Sequence, residues 1–274
     1  MKIDSWRSTA LPGAAEDPAV WELFHENSKT GRYDDFPPQE LIRARMDTLH
    51  QTLPYDQYPA IALPPPLALP VPVTEAIRAR ESARAMEPCR VSLEQVATLL
   101  HCAYGITRDN EGTMFPRPFR TVPSGGALYP LEIYFHSAFV TELRAGLYHF
   151  DPLGHQLRRL READETRRLA EGLVQPNVAS ESAIVFFLTA VFERSTFKYG
   201  ARGYRFVLLE AGHVAQNLNL VATALDLAVL DIGGYFDREV DALLGLDGIE
   251  HSTIYLVALG RGQAPGEGTT GNPL

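Results

Sequence analysis

Cysteine is nearly missing from this chain. Its 274 residues carry only Cys89 and Cys102. Two thiols cannot build a disulfide framework or a cysteine-rich zinc fold, and their scarcity fits a reducing compartment. A surplus of positive charge is missing too. Lys and Arg number 25 against 34 Asp and Glu, a formal net charge of −9, with no long basic run. That argues against nucleic acid as a partner, because affinity there comes chiefly from neutralising phosphates. Long apolar runs are also absent. The longest, residues 183–192, is broken by Thr189. Ten residues suit a buried strand and cannot cross a bilayer as a helix. The opening Met1-Lys2-Ile3-Asp4-Ser5-Trp6-Arg7 lacks the apolar stretch of a signal peptide. The expectation is a cytoplasmic protein with no membrane partner.

What is there is ordinary globular material. Hydrophobic residues make up 45% and charged residues 22%, enough to bury a core without staples. The length suits one large domain or two small ones. Residues 1–72 divide into a helical preface (1–53) and a proline-rich lead-in. Seven prolines fall within residues 54–72. Proline fixes φ and lacks an N–H donor, so that stretch is expected to be extended. It serves either as a linker or as a wrap over the core or a partner subunit. Residues 73–262 form the core, and the glycine-rich end, 263–274, is expected to be a flexible tail.

Within the core, Ser92-Leu93-Glu94-Gln95 has the spacing of a capping box, and Gly105 is the expected stop of the helix it opens. Residues 131–136 alternate as a half-buried strand. Residues 146–150, 183–192 and 253–259 read as further strands. Residues 204–225 predict a long helix that is apolar nearly all round, which must be covered on every side.

Five constellations could carry chemistry. Arg80-Glu81-Ser82-Ala83-Arg84 offers two guanidiniums and a hydroxyl, matched to phosphate oxygens, or else a solvated charged turn. Pro123-Ser124-Gly125-Gly126 opens a turn between two prolines, where backbone can approach a ligand, though a plain tight turn reads the same way. It lacks the Lys-Ser/Thr of a Walker loop and the G-x-G-x-x-G of a dinucleotide fold. Lys198 and Tyr199, with Arg202 and Arg205 near them, stand before the long helix; crowded like charges favour a neutral, usable lysine base. The bland reading is a solvated helix entrance. Glu210, His213 and Gln216 or Asn217 form a polar stripe. Glu-x-x-His resembles a di-iron helix, but no second such pair exists, so a buried hydrogen-bond network is the favoured reading and no metal is expected. Asp231-Ile232-Gly233-Gly234 could lay a backbone N–H against a flat ring, or simply end a strand.

Taken together, residues 74–262 resemble the SagB-type dehydrogenases of the nitroreductase superfamily, with residues 120–130 and 198–217 carrying most of the likeness. The resemblance implies an α+β fold, a mostly antiparallel sheet flanked by helices, and a homodimer with FMN at its interface. It implies an FMN-dependent oxidase that turns thiazolines or oxazolines of a peptide substrate into azoles, with a cyclodehydratase as a further partner. Arg80, Ser82 and Arg84 match the superfamily's motif for the FMN phosphate and ring edge. Pro123, Ser124, Gly125 and Gly126 match the loop lying along the flavin. Gly233 and Gly234 match the turn that reaches flavin N5, and Arg261 matches loosely a C-terminal phosphate-binding cation. Lys198 and Tyr199 match the pair implicated in azoline oxidation. Ala127 departs from the Asn usual in nitro and quinone reductases, Met86 from a frequent aromatic, and Asp226 from a Gly at the end of the long helix.

Overall fold

The computed structural model describes residues 19–112 and 116–262. The first 18 residues of the preface and the tail at 263–274 lie outside the described residues.

The preface forms two helices, α1 (Val20–Asn27) and α2 (Gln39–Thr48). The lead-in then lies against the core. Its residues Ala60–Ala62 (β1) pair with a later strand, so the stretch is not polyproline-like throughout. Short α3 (Val73–Ala79) and β2 (Met86–Glu87) follow. Then comes α4 (Leu93–Tyr104), where both capping-box hydrogen bonds between Ser92 and Gln95 are made. Gly105 ends this helix as expected, in extended backbone with φ −70°. A small ribbon, β3 (Ile106–Arg108) and β4 (Phe119–Arg120), leads to β5 (Leu131–Ser137), β6 (Gly146–Asp151) and β7 (Gln156–Arg161). Helices α5 (Thr166–Glu171) and α6 (Asn177–Glu181) precede β8 (Ile184–Val191). Helix α7 (Glu193–Tyr199) and the long α8 (Ala201–Ala224) come next, then β9 (Ala228–Ile232), α9 (Asp237–Leu244) and β10 (His251–Gly262).

The main sheet runs β1-β7-β6-β5-β8-β10-β2, with β9 also on β10, and its strand pairs are antiparallel. Its two faces are sorted by the period-2 alternation of strands. Ile184, Phe186, Leu188 and Ala190 of β8 join Leu131, Ile133 and Phe135 of β5 on the face covered by α4 and α8. Val185 and Phe187 meet Tyr134 on the other face, under α5 and α9. Each fully buried Val, Leu, Ile or Phe among these contributes about 1.5–3 kcal/mol from burial. Strand β5 departs from the half-buried expectation: every residue is buried. Its polar positions, Glu132, Tyr134 and His136, are covered, not solvated.

Helix α8 is buried along one side through Val207, Ala211, Val214 and Leu218. On its other side Leu208 and Leu209 are exposed among the described residues, and Tyr204, packed against Phe24 and Phe192, is partly so. At its end Asp226 takes φ +57°, so the left-handed turn is kept although the glycine is not.

Candidate active site

The turn opened by Pro123 is held by its own polar groups. Ser124 Oγ accepts the Tyr129 N–H at 2.9 Å, and Tyr129 Oη accepts the Arg120 N–H at 2.9 Å. These bonds hold three consecutive or near-consecutive left-handed residues, Gly126 (φ +66°), Ala127 (φ +52°) and Tyr129 (φ +46°). The turn meets the Lys-Tyr pair directly. A Cβ added at Gly126 would stand 2.6 Å from Tyr199 Oη and 2.8 Å from Lys198 Nζ. Two segments more than 70 residues apart in sequence thus form one locus. The Tyr199 ring packs edge-on against Phe206 at 5.0 Å, and Phe206 also lies against Gly125. Lys198 Nζ sits 5.1 Å from the Tyr199 ring centroid, and both residues are half-buried. Arg205 does not crowd Lys198 as expected. It turns to the preface, giving its Nε–H to Ser28 Oγ at 2.7 Å and a second bond to the His25 carbonyl.

Beneath this turn lies Glu210, only 2% exposed. Tyr104 donates to its Oε1 at 2.6 Å, and the Arg120 guanidinium stacks 4.3 Å above the Tyr104 ring. Burial pushes the Glu210 pKa up to about 7, against the pull of Ser124, Tyr104 and Arg120. The polar stripe expected on α8 is therefore split. Glu210 is buried, Asn217 donates to the Cys102 carbonyl at 3.1 Å, and His213 and Gln216 are exposed.

The arginine cluster forms a second locus, along β9. Ser82 bridges Val229 in parallel, with the Ala83 N–H on the Val229 carbonyl at 2.8 Å. Arg80 is half-buried; Ser82, Arg84 and Arg261 are exposed. Arg261 follows Gly260, the partner of Ala228 at the start of β9, and lies 3.9 Å from Glu87. Gly233 and Gly234 end the same strand, and both are exposed. Carbonyls and N–H groups of alternate residues point to opposite edges of a strand. Val229 bonds outward, away from β10, so Asp231 also turns its backbone groups to that edge. Met86 fills the buried position of the missing aromatic, with Ser182 Oγ 3.7 Å from its sulfur.

A third group anchors the Lys-Tyr pair and was not legible as a site. Glu132, 2% exposed, takes Arg194 of α7 at 2.6 Å, His149 at 2.5 Å and the Leu53 N–H at 2.9 Å. Burial alone would raise its pKa, but Arg194 and His149 outweigh that and hold it below the usual carboxylate range. Arg45 of α2 pairs with Glu193, and Arg117 and Arg120 bond carbonyls of Met46, Leu49 and Gln51. The sequence signal was present, a lone carboxylate in an apolar strand and a lone Arg after one, but neither named its partner.

No helix among the described residues is long and apolar enough to cross a membrane.

The chain was compared with known proteins. A Methanocaldococcus jannaschii protein named as a nitroreductase, MJ1384, is 35% identical over 62% of this chain and 81% of its own length. The microcin B17-processing protein McbC of Escherichia coli is 35% identical over 47% of this chain and 49% of its own. The trifolitoxin-processing protein TfxB of Rhizobium leguminosarum is 29% identical over 47% and 36%. The chain thus spans half or less of the two peptide-processing relatives. Among solved structures, a protein from Anabaena variabilis described as a nitroreductase aligns with TM-score 0.63 and 24% identity, over 85% of this chain and 49% of that one. A chain of the E. coli microcin synthetase McbBCD complex, with truncated pro-MccB17 bound, aligns with TM-score 0.58 and 21% identity, over 89% and 92%. These two likenesses concern the fold. The model of the nitroreductase family matches residues 77–261, and that span holds the main sheet apart from its edge strand β1, both loci and the long helix: the chain belongs to the nitroreductase family.

Proposed function

We propose that this chain is an FMN-dependent oxidoreductase of the SagB type, oxidising a thiazoline or oxazoline to the azole in a ribosomally made or related peptide. The observation that carries the reading is the contact of Gly126 with Lys198 and Tyr199. It sets a candidate base against the turn that resembles a flavin-contacting loop. The relation to McbC and TfxB, both named for processing peptides, supports a peptide substrate. The fold shared with a chain of the McbBCD complex supports association with a cyclodehydratase.

The residues present fit FMN. Arg80, Arg84 and Arg261 are cations gathered at one end of β9, suited to a phosphate. At the other end the nearest atom given for a Cβ built on Gly233 is Tyr255 Cε2, at 3.9 Å, so the turn leaves room for a flat ring to approach its backbone. When bound, FMN supplies the two-electron acceptor for the hydride of the azoline. The chain's own task is the proton on the adjacent carbon. Lys198 takes it, which requires approach to about 3 Å or a single intervening water. Tyr199 orients the ring or shares that proton, while Gly126 and Phe206 fix where both groups stand.

The exposed Tyr204, Leu208 and Leu209 of α8, with Val73 and Ile77 of α3, support a homodimer closed through these helices. Light scattering should give a flavin-bound particle of twice 30.3 kDa; a flavin-bound monomer would contradict the dimer. The activity is tested with Lys198→Ala and Tyr199→Phe. Both should keep FMN and melting temperature yet lose roughly 10²–10⁴-fold in azoline oxidation, the usual size of a general-base contribution. Near wild-type rates would overturn the assignment. The relation to MJ1384 favours a second reading, an NAD(P)H-dependent nitro or quinone reductase. Rapid bleaching of the bound flavin by NADPH would select it.

A further inference from the structure

The two ends of the β9 edge have separate work in the flavin reading, the arginines at one end and the glycine turn at the other. Between Val229, bridged to Ser82, and Gly233 lie four residue steps, about 13 Å at the rise of a strand. Asp231 is midway. Its side chain shares the strand face of Val229, which packs into the cluster with Val214 and Leu218 of α8. There Asn219 of α8 donates from Nδ2 to both carboxylate oxygens, at 2.9 and 3.1 Å.

This pair is rich in acceptors and short of donors. An ionised carboxylate offers about four lone-pair sites, and Asn219, whose Nδ2 also donates to the Ala215 carbonyl at 2.8 Å, brings one N–H shared between its two oxygens. The Asn219 Oδ1 is buried with no hydrogen-bond partner among the described residues, although Asn219 is only 1% exposed. Asp231 itself is half-buried and reachable from outside. Burial raises its pKa, against the pull of Asn219 and of the Arg80 charge. A carboxylate beside a phosphate-binding arginine opposes the phosphate unless it has a use of its own. Hydroxyl groups supply that use, because each brings a donor to acceptors that lack one.

We propose that Asp231 and Asn219 form the subsite for the polyhydroxylated chain that joins the phosphate of FMN to its ring. This rests on the flavin reading above, and it adds residues that the arginine motif and the glycine turn do not include.

Three flavins separate the possibilities in one titration. FMN carries phosphate, hydroxylated chain and ring; riboflavin lacks the phosphate; lumiflavin lacks the chain as well. Binding is followed by quenching of flavin fluorescence on the full chain, without turnover. Asp231→Ala should weaken FMN and riboflavin alike, by about 10–100-fold, the size expected for hydrogen bonds to a charged group. Lumiflavin should be unaffected. Arg80→Ala should weaken FMN and leave riboflavin and lumiflavin as they were. Asp231→Asn, closest in size, should give an intermediate loss and serves if the alanine variant does not fold. Loss of FMN binding alone in the Asp231 variants would mean that Asp231 acts through Arg80. Equal loss of all three flavins would mean a structural role. Either result overturns the subsite while leaving the flavin reading intact. A wild-type chain that binds none of the three overturns both.

Discussion

Gly126→Ala separates the cost of backbone strain from the cost of displacing the Lys-Tyr pair. Gly126 stands at φ +66°, ψ 21°. Placing an L residue in that region costs about 1–2 kcal/mol. For a chain of this size each kcal/mol lowers the melting temperature by roughly 2–4 °C, so the strain alone predicts a fall of about 2–8 °C. The added methyl also meets Tyr199 Oη at 2.6 Å and Lys198 Nζ at 2.8 Å. Ordinary contact begins near 3.4 Å. Both atoms are ends of flexible side chains, so they give way by an ångström or less and add little to the loss of stability. That shift is what catalysis feels: a misplacement of about 1 Å can cost about 10²-fold in rate. Gly245→Ala is the control. Gly245 has nearly the same backbone, φ +78° and ψ 30°, with nothing within 4 Å of its added Cβ. The two variants should melt alike in a thermal scan. In azole formation followed by absorbance, Gly126→Ala should fall about 10²-fold, while Gly245→Ala keeps the wild-type rate. Equal rates for both variants would refute the argument, because the turn would then not position the base.

Two further outcomes follow from buried carboxylates. Glu210 carries a folded-state pKa of about 7, above its ordinary 4.5. The folded chain therefore binds this proton more tightly than the unfolded one. Stability from Glu210 is full below pH 4.5 and is lost as pH rises through 7, by about 3 kcal/mol in all. Glu210→Gln cannot ionise, so urea midpoints at pH 5 and pH 8 should move in the variant's favour as pH rises; parallel behaviour would contradict the burial argument. Glu132 has the opposite sign, its pKa lying below the ordinary 4.5, so its contribution is present above that pH and lost as pH falls through the folded value. Glu132→Gln leaves Arg194 buried without its counter-charge and should cost about 3–5 kcal/mol in a denaturant melt at pH 7; a loss under 1 kcal/mol would show that the pair is not what holds these segments.

Much of the core could be read along the chain because its signals are local. Ser92 and Gln95 cap α4 through neighbours three residues apart, and β8 declares itself by an apolar run interrupted only at Thr189. The glycine turn and the Lys-Tyr pair were each visible as segments, but no local pattern says that Gly126 faces Lys198. That contact comes from β5 pairing with β8, which brings the residues before one strand to those after the other. Glu132, Tyr134 and His136 alternate as polar positions and so read as a solvated face. They are buried because Tyr55 of the lead-in and other segments cover them, with Tyr55 Oη 2.8 Å from Tyr134 Oη. The strand at Ala60–Ala62 was hidden for a similar reason: prolines on both sides suggest free extended chain, and only β7 supplies its partner.

The ion pair of Glu132 and Arg194 gives these distant contacts a direction. A buried ion pair adds little net stability over well-packed apolar residues of the same volume, yet breaking it is costly. Its effect is to hold one arrangement against others. Here it holds three separate parts of the chain at once. Glu132 belongs to β5, Arg194 to α7, and Thr52 and Leu53, which also reach Glu132, to the approach from the preface. Lys198 follows Arg194 by four residues, about one helical turn, so the helix turn fixed by the ion pair is the one that carries the candidate base. The preface adds to the same end of the molecule, with Arg45 on Glu193 before that turn and Ser28 on Arg205 after it. Residues that looked peripheral in the sequence therefore brace the segment where the chemistry is proposed. The turn at Gly126 closes against that segment from the other side.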